Sequence, residues 1–450
     1  MKYIYILICI IVLSACNKIL DAESTTDRIT SMSVFASNTT AIAALNGIYS
    51  TMSTGGAVTG STGISFLGGL SADELQLLNA DDIRLQAVYQ NGLVPGDVDC
   101  WSPLYNYIFQ ANNALIGLQR GKTDQDVQQQ LTGEALFVRA FSYFYLVNLY
   151  GDVPLVLGTD YKVNAVLPRT AAGKVYDQVV ADLIHAIQLL SPAFLAVDIK
   201  SVTPERVRPT SWVARALLAR VYLYNKEYGR AMQQVDTILA QQELFDTVPL
   251  AAAFLRNSKE AIWQLEPKKN SYTEDGFWFG VMRVASCSDM LLQAMEEGDQ
   301  RKQVWMQRDD TLYYPFKYKS SEPVDKPLEY LMVMRVGELY LVRAEARAHT
   351  GELDGAIEDL NVIRVRAGLK KMKLTTQENV LAAIAHERQV ELFSEWGHRW
   401  LDLKRGGHID EIMDIVGTKK GNKWRTYQQL YPLPGSELKA NPYLKQNVGY

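Results

Sequence analysis

Two stretches of this chain follow one plan, and that plan restricts the fold more than any other feature. Ala216-Leu217-Leu218-Ala219-Arg220-Val221-Tyr222-Leu223 runs into a short turn and then Tyr228-Gly229-Arg230-Ala231. In the same way, Leu341-Val342-Arg343-Ala344-Glu345-Ala346-Arg347-Ala348 runs into Leu353-Asp354-Gly355-Ala356. Small residues on one helix let a second helix lie close against it, so each stretch predicts a helical hairpin of tetratricopeptide type. Such a hairpin cannot bury its apolar face alone and stacks on its neighbours. The expected fold is all-α, a tetratricopeptide-like helical-repeat scaffold.

The chain before these hairpins agrees with that reading. Trp101, Tyr105, Ile108, Asn112 and Leu115 recur at steps of three and four, one face of a helix over 101–118. Leu136, Ala140, Phe144 and Val147 share a face of a second helix over 131–149, which Gly151-Asp152-Val153-Pro154 breaks. Further helices are expected from Ala41 and over 172–190, and the Gly/Ser/Thr-rich residues 55–69 read as a loop. Pro267 to Pro327 has no clear period and many aromatic residues, which predicts an ordered, irregular, functional insertion.

At the N-terminus, Lys2 precedes a short apolar run that ends in Leu13-Ser14-Ala15-Cys16. A basic start, an apolar stretch and small residues before a cut form a secretory leader. The run falls short of the roughly 18 residues a membrane-spanning helix needs. A Cys directly after the small residues makes this a bacterial lipoprotein signal: the thiol of Cys16 is expected to receive diacylglycerol, the leader to be cut before Cys16, and the new amino group then to be acylated. Residues 1–15 are then the removed signal peptide, 16–40 a lipidated polar spacer, and 41–450 the folded body. Three acyl chains anchor far more firmly than one.

Composition narrows the function by exclusion. The 46 Lys+Arg balance 50 Asp+Glu, for a formal net charge of −4, which leaves no basic footprint for nucleic acid. Beyond Cys9 and Cys16 only Cys100 and Cys287 remain, and two unpaired thiols are expected, although an oxidising compartment permits a disulfide. His398 with Asp402, and His386 with Glu387 and Glu391, imitate metal or acid–base sites, yet no His-Glu-x-x-His pattern exists. The histidines are read as structural residues, and Arg388, Glu391, Arg399, Asp402 and Arg405 are expected to form ion pairs that fix helices. The adjacent carboxylates Glu296-Glu297, Asp309-Asp310 and Asp81-Asp82 do not face one another across a cleft as a glycosidase dyad must. No catalytic signature is found, and no cofactor is expected; no residue pattern indicates a structural Ca2+.

Four stretches carry a family resemblance. The first is residues 134–155, Glu134-Ala135-Leu136-Phe137-Val138-Arg139-Ala140 through Leu149-Tyr150-Gly151-Asp152-Val153-Pro154-Leu155. The second is Ala344-Glu345-Ala346 with Leu360-Asn361-Val362-Ile363-Arg364-Val365-Arg366-Ala367-Gly368-Leu369. The third is Glu387-Arg388-Gln389-Val390-Glu391-Leu392 leading into Glu395-Trp396-Gly397-His398-Arg399-Trp400-Leu401-Asp402-Leu403-Lys404-Arg405. The fourth is Tyr431-Pro432-Leu433-Pro434 with Asn441-Pro442-Tyr443 and the closing Gln446-Asn447-Val448-Gly449-Tyr450. Together they resemble the SusD/RagB family of outer-membrane lipoproteins from Bacteroidetes, from Cys16 to the end. Trp396 stands where many members have Gly, and Val448 where many have Pro.

The resemblance implies four tetratricopeptide-like helix pairs and an irregular, variable face within a single domain, 41–450. Its parts are an N-terminal helical part over about 41–230, the insertion within about 231–330, and a C-terminal signature part over about 331–450. It also implies a lipid-anchored protein on the outer membrane, facing the cell exterior, that captures an oligosaccharide. The captured ligand passes to a TonB-dependent SusC-type barrel as partner, without covalent chemistry. A peptide or other non-sugar ligand, or a mainly structural lid, is the alternative.

Sugar binding needs exposed aromatic faces for pyranose C–H groups and nearby polar groups for hydroxyls. By composition the candidates are Tyr272, Trp278 and Trp305 in the insertion. Asp81, Arg84, Tyr89 and Asn91 lie where family members commonly place ligand contacts. Trp101, at a helix start, is assigned to the core.

Overall fold

The computed structural model describes residues 31–79, 81–267, 272–320 and 328–450, so Cys16 and its leader lie outside the described residues. Among these residues helices dominate, as the repeat requires. They include α1 (Asn38–Met52), α2 (Ile64–Ser71), α3 (Ile83–Tyr89), α4 (Trp101–Arg120), α5 (Gln125–Tyr150), the short α6 (Tyr161–Asn164) and α7 (Ala172–Leu189). Then come α8 (Ser211–Tyr224), α9 (Tyr228–Leu239), α10 (Val336–Thr350), α11 (Leu353–Arg366), α12 (Gln377–Glu391), α13 (His398–Arg405) and, near the end, α14 (Gly435–Ala440). No described helix is long and apolar enough to cross a membrane.

The helices stack in succession: α4 on α5, α5 on α7, α7 on α8, α8 on α9, α9 on α10, and α10 on both α11 and α12. Helix α5 is the spine. Residues 133–147 of this helix are buried without a break, so it has no solvent face over four turns, and the helices around it take up its apolar sides. The small residues do what the pattern predicts. Ala216 and Ala219 of α8, Ala231 of α9, and Ala344, Ala348 and Ala356 of the second hairpin are all buried at helix contacts.

Buried ion pairs tie successive helices where apolar packing alone would let them slide. Arg139 of α5 grips Asp182 of α7 through both carboxylate oxygens, at 2.7 and 2.6 Å. Arg220 of α8 grips Glu338 of α10 in the same two-pronged way, at 2.6 Å each. Arg208 holds Glu134 of α5 at 2.7 Å, and Tyr49 of α1 donates to the same carboxylate at 2.8 Å.

Three small antiparallel pairs complete the fold. They join β1 (Leu75–Leu77) to β3 (Ala285–Cys287), β2 (Ala261–Leu265) to β6 (Leu331–Arg335), and β4 (Met306–Asp309) to β5 (Leu312–Pro315). The expected loop over 55–69 is corrected in its second half, where α2 forms. Its glycines serve contact, not turning: a Cβ on Gly68 would stand 2.6 Å from Gly397 Cα, beside α13. All eight residues of α2 are buried, so tertiary packing overrides the weak helix propensity of Gly68-Gly69.

Candidate functional site

The ladder between β1 and β3 brings two distant parts of the chain together. Leu75, Gln76 and Leu77 pair with Cys287, Ser286 and Ala285, and Leu78 N donates to Val284 O at 2.9 Å. The segment leaving β1 carries Asp81 and Arg84, and the segment entering β3 carries Tyr272 and Trp278.

Within that second segment Asp275 is the fixed point. It is buried, and its Oδ1 accepts from Thr59 Oγ1 at 2.6 Å and from Gly60 N at 2.9 Å. Burial pushes its carboxyl up to about 6, against the hydrogen bonds that favour the charged form. Thr273 starts the turn by accepting from Gly276 N at 3.0 Å, and residues Phe277–Met282 continue it as a π-helical turn. Gly60, at φ +76°, lies against Trp278: a Cβ there would stand 3.3 Å from the indole. The backbone of the 55–63 loop therefore supports one side of the Trp278 ring.

Three rings share this segment. Tyr272 and Phe277 stack at 5.7 Å with their planes 18° apart, and Phe277 meets Trp278 edge-on at 6.1 Å. All three are half-buried, while Phe279, next in the chain, turns into the core. From below, the hairpin of β4 and β5 braces the turn. Arg283, at φ +50°, bonds Asp309 at 2.6 Å and Gln307 at 2.8 Å and lies over the Tyr314 ring at 4.8 Å. Phe277 was not among the candidates. The run Phe277-Trp278-Phe279 was its signal, but only the local turn decides which of the three rings faces inward.

Two candidates are corrected. Trp305 is fully buried: its Nε1 donates to Leu250 O at 2.9 Å, its edge meets Phe254, and Lys317 Nζ sits 4.8 Å above its ring. No face is left for a ligand. Asn91 is buried in a left-handed turn at φ +54°, with Nδ2 donating to Ser71 O at 3.1 Å to close the end of α2. Tyr89 is half-buried beneath Lys420 Nζ at 4.8 Å. Asp81 and Arg84 are exposed, the Arg84 side chain to 71 %. Tyr272 and Trp278 are thus brought together, Asp81 and Arg84 stay in solvent, and Trp305 and Asn91 belong to the core.

The metal-like groups resolve into structural pairs. Glu296, His386 and Glu387 gather their ligand atoms within 4.8 Å of one another. Arg364 reaches Glu296 at 2.5 Å and Glu387 at 3.2 Å, and Arg301 reaches Glu387 at 2.7 Å. Guanidinium groups therefore hold the place a cation would take. Asp402 is shared by Arg388 and Arg405 at 2.7 Å each, Arg399 holds Asp73, and Glu391 lies between Arg301, Arg335 and Arg366. His398 is buried 3.9 Å from Glu338, and burial presses its ring down to about 4, so it is neutral. Cys100 and Cys287 are buried and unpaired, as expected, and Trp101 lies in the core.

Comparison with known proteins places this architecture. A model described as "SusD family" matches residues 293–450, and one described as "Starch-binding associating with outer membrane" matches residues 20–223. A SusD-like protein of Formosa agariphila is 25% identical over 429 residues, covering 80% of this chain and 81% of that protein. A SusD superfamily protein of Bacteroides vulgatus superposes with a TM-score of 0.78 at 21% identity, over 92% of this chain and 99% of its own. A laminarin-binding SusD-like protein superposes with a TM-score of 0.74 at 24% identity, over 91% of this chain and 99% of its own.

Proposed function

Because the chain belongs to the SusD/RagB family, we propose that it is a cell-surface glycan-binding lipoprotein. It captures an oligosaccharide at the Tyr272–Phe277–Trp278 face and delivers it to a TonB-dependent SusC-type barrel. The observation that carries this reading is the aromatic face itself, three half-buried rings braced by the Gly60 backbone and the Asp275 hydrogen bonds. Flat rings fixed from behind suit the C–H faces of a pyranose. The tether at Cys16 holds the protein to the outer membrane, on its outer side, beside its transporter. Binding and release complete the cycle, with no covalent step.

The test is a glycan array probed with the detergent-solubilised full-length protein. Retention of a glycan by the wild type, its loss in Trp278→Ala and Phe277→Ala, and no release of reducing sugar support the proposal. Unchanged retention in both variants rejects the site, and released sugar rejects a pure binder. Capture of peptides with no glycan retained moves the ligand to a non-sugar nutrient.

A further inference from the structure

A cleft of about 510 Å³ opens where α4, the strap following α5, α6 and α14 meet, and it shares no lining residue with the face just described. Its walls are fixed by side chains bonded to backbone. Tyr105 Oη donates to Pro154 O at 2.7 Å and Asn112 Nδ2 to Val156 O at 3.0 Å, which holds the strap on α4. Asn164 Nδ2 donates to Gly158 O at 3.0 Å and Asn441 Nδ2 to Leu167 O at 2.8 Å, which fixes α6 and the chain end after α14. A cleft braced at four points has little order left to lose when a ligand enters.

The lining has a definite chemistry. Tyr161 and Phe109 present their rings to solvent, 74 % and 46 % exposed. Ser102 and Asn106, both exposed on α4 along with Phe109, leave hydroxyl and amide groups free to bond a ligand. Among the described residues, no lysine or arginine lines the cleft. Its one carboxylate, Glu437, is bonded by Trp101, and burial favours its neutral form. A phosphate or carboxylate ligand would find no counter-charge here. An uncharged ring with apolar faces and hydroxyl edges matches a cleft that offers both aromatic rings and amide and hydroxyl groups.

We propose that this cleft is a second carbohydrate site, which stacks a neutral pyranose on Tyr161 and Phe109 and bonds its hydroxyls through Asn106 and Ser102. The proposal rests on the reading that the chain binds glycans, and adds a site to it. Two sites on one chain raise the retention of a polymeric glycan above that of either site alone.

Isothermal titration of the detergent-solubilised full-length protein with maltoheptaose and with laminarihexaose tests this. The wild type is expected to bind two molecules of one of these probes. Tyr161→Ala and Trp278→Ala each leave one, the double variant leaves none, and Tyr161→Phe restores the second because the ring is kept. Tyr161 is exposed, so Tyr161→Ala retains the wild-type melting temperature. One molecule per wild-type chain, lost in Trp278→Ala and unchanged in Tyr161→Ala, overturns the second site and leaves the first reading standing. The reverse pattern removes the first face and keeps the cleft. Binding of neither probe overturns the second site. So does a Tyr161→Ala protein that differs only in sedimentation, since the cleft would then be a protein contact.

Discussion

Lys226 and Gly351 occupy the same position in two separate turns. Each follows the first helix of a hairpin and takes a left-handed φ, 61° for Lys226 and 86° for Gly351. Lys226 N donates to Leu223 O at 3.1 Å and Gly351 N to Ala348 O at 3.3 Å. The following amides of Glu227 and Glu352 reach Tyr222 O and Arg347 O at 2.8 and 2.9 Å. One repeat has the residue this conformation favours, and the other does not. Lys226→Gly is therefore expected to stabilise the protein by about 0.5–1 kcal/mol, and Gly351→Lys to destabilise it by a similar amount. Urea midpoints at constant slope measure both; a lower midpoint for Lys226→Gly would contradict the equivalence.

The Arg220–Glu338 pair is almost completely buried, at 2 % and 4 % side-chain exposure. Removing one partner leaves a charge without water or counter-ion. Arg220→Met or Glu338→Gln alone should cost about 3–5 kcal/mol, whereas Arg220→Met with Glu338→Leu should recover most of that loss. A double-mutant cycle on chemical unfolding reads the coupling; additive losses would show that the two residues act independently.

His398 makes stability depend on pH. Burial lowers its folded pKa to about 4, below the ordinary 6.5. Between these values the unfolded chain takes up a proton that the folded chain refuses, so stability falls as pH falls through this window. At pH 4.5 the loss attributable to His398 should be on the order of 2 kcal/mol relative to pH 7. His398→Gln should remove about one proton from the slope. Unfolding curves at half-unit pH steps test this, and an unchanged slope would eliminate His398 as the source.

Two tryptophans from one insertion should behave in opposite ways. Trp278→Ala removes a half-buried ring and is expected to abolish measurable glycan binding at its face while leaving the melting temperature nearly unchanged. Trp305→Ala opens a cavity in the core and should cost about 3–5 kcal/mol of stability. Binding isotherms and thermal melts on the same preparations separate the two effects. A Trp305→Ala protein with wild-type stability would refute its place in the core.

Cys16→Ala removes the proposed acylation site and leaves the Tyr272–Phe277–Trp278 face unaltered in sequence. The variant should bind glycan with wild-type affinity in solution and fail to support uptake by cells. Loss of affinity in solution would mean that the anchor and the binding face are not independent.

What could be read from the residues in order was largely the local part. The helices around Phe144 and Tyr222, and the break at Pro154, are visible because helical spacing depends on near neighbours. Helix α2 was missed because Gly68 and Gly69 read as turn residues, when they are there to admit Gly397 and Leu75. Trp278 and Trp305 could not be told apart for a related reason. Their surroundings, Gly60 for one and Leu250, Phe254 and Lys317 for the other, come from remote parts of the chain. Asn91 looked like a polar contact for a ligand, but its partner is Ser71, on the far end of a helix the pattern hid.

The three-residue pairing of β1 with β3 sets the order in which this protein can mature. Thr59 and Asp275, which meet just beyond it, are 216 residues apart. Local hairpins close quickly, whereas a contact across such a span is entropically late. The helical frame can therefore form while the chain still has no recognition face, and the face appears only when the insertion docks.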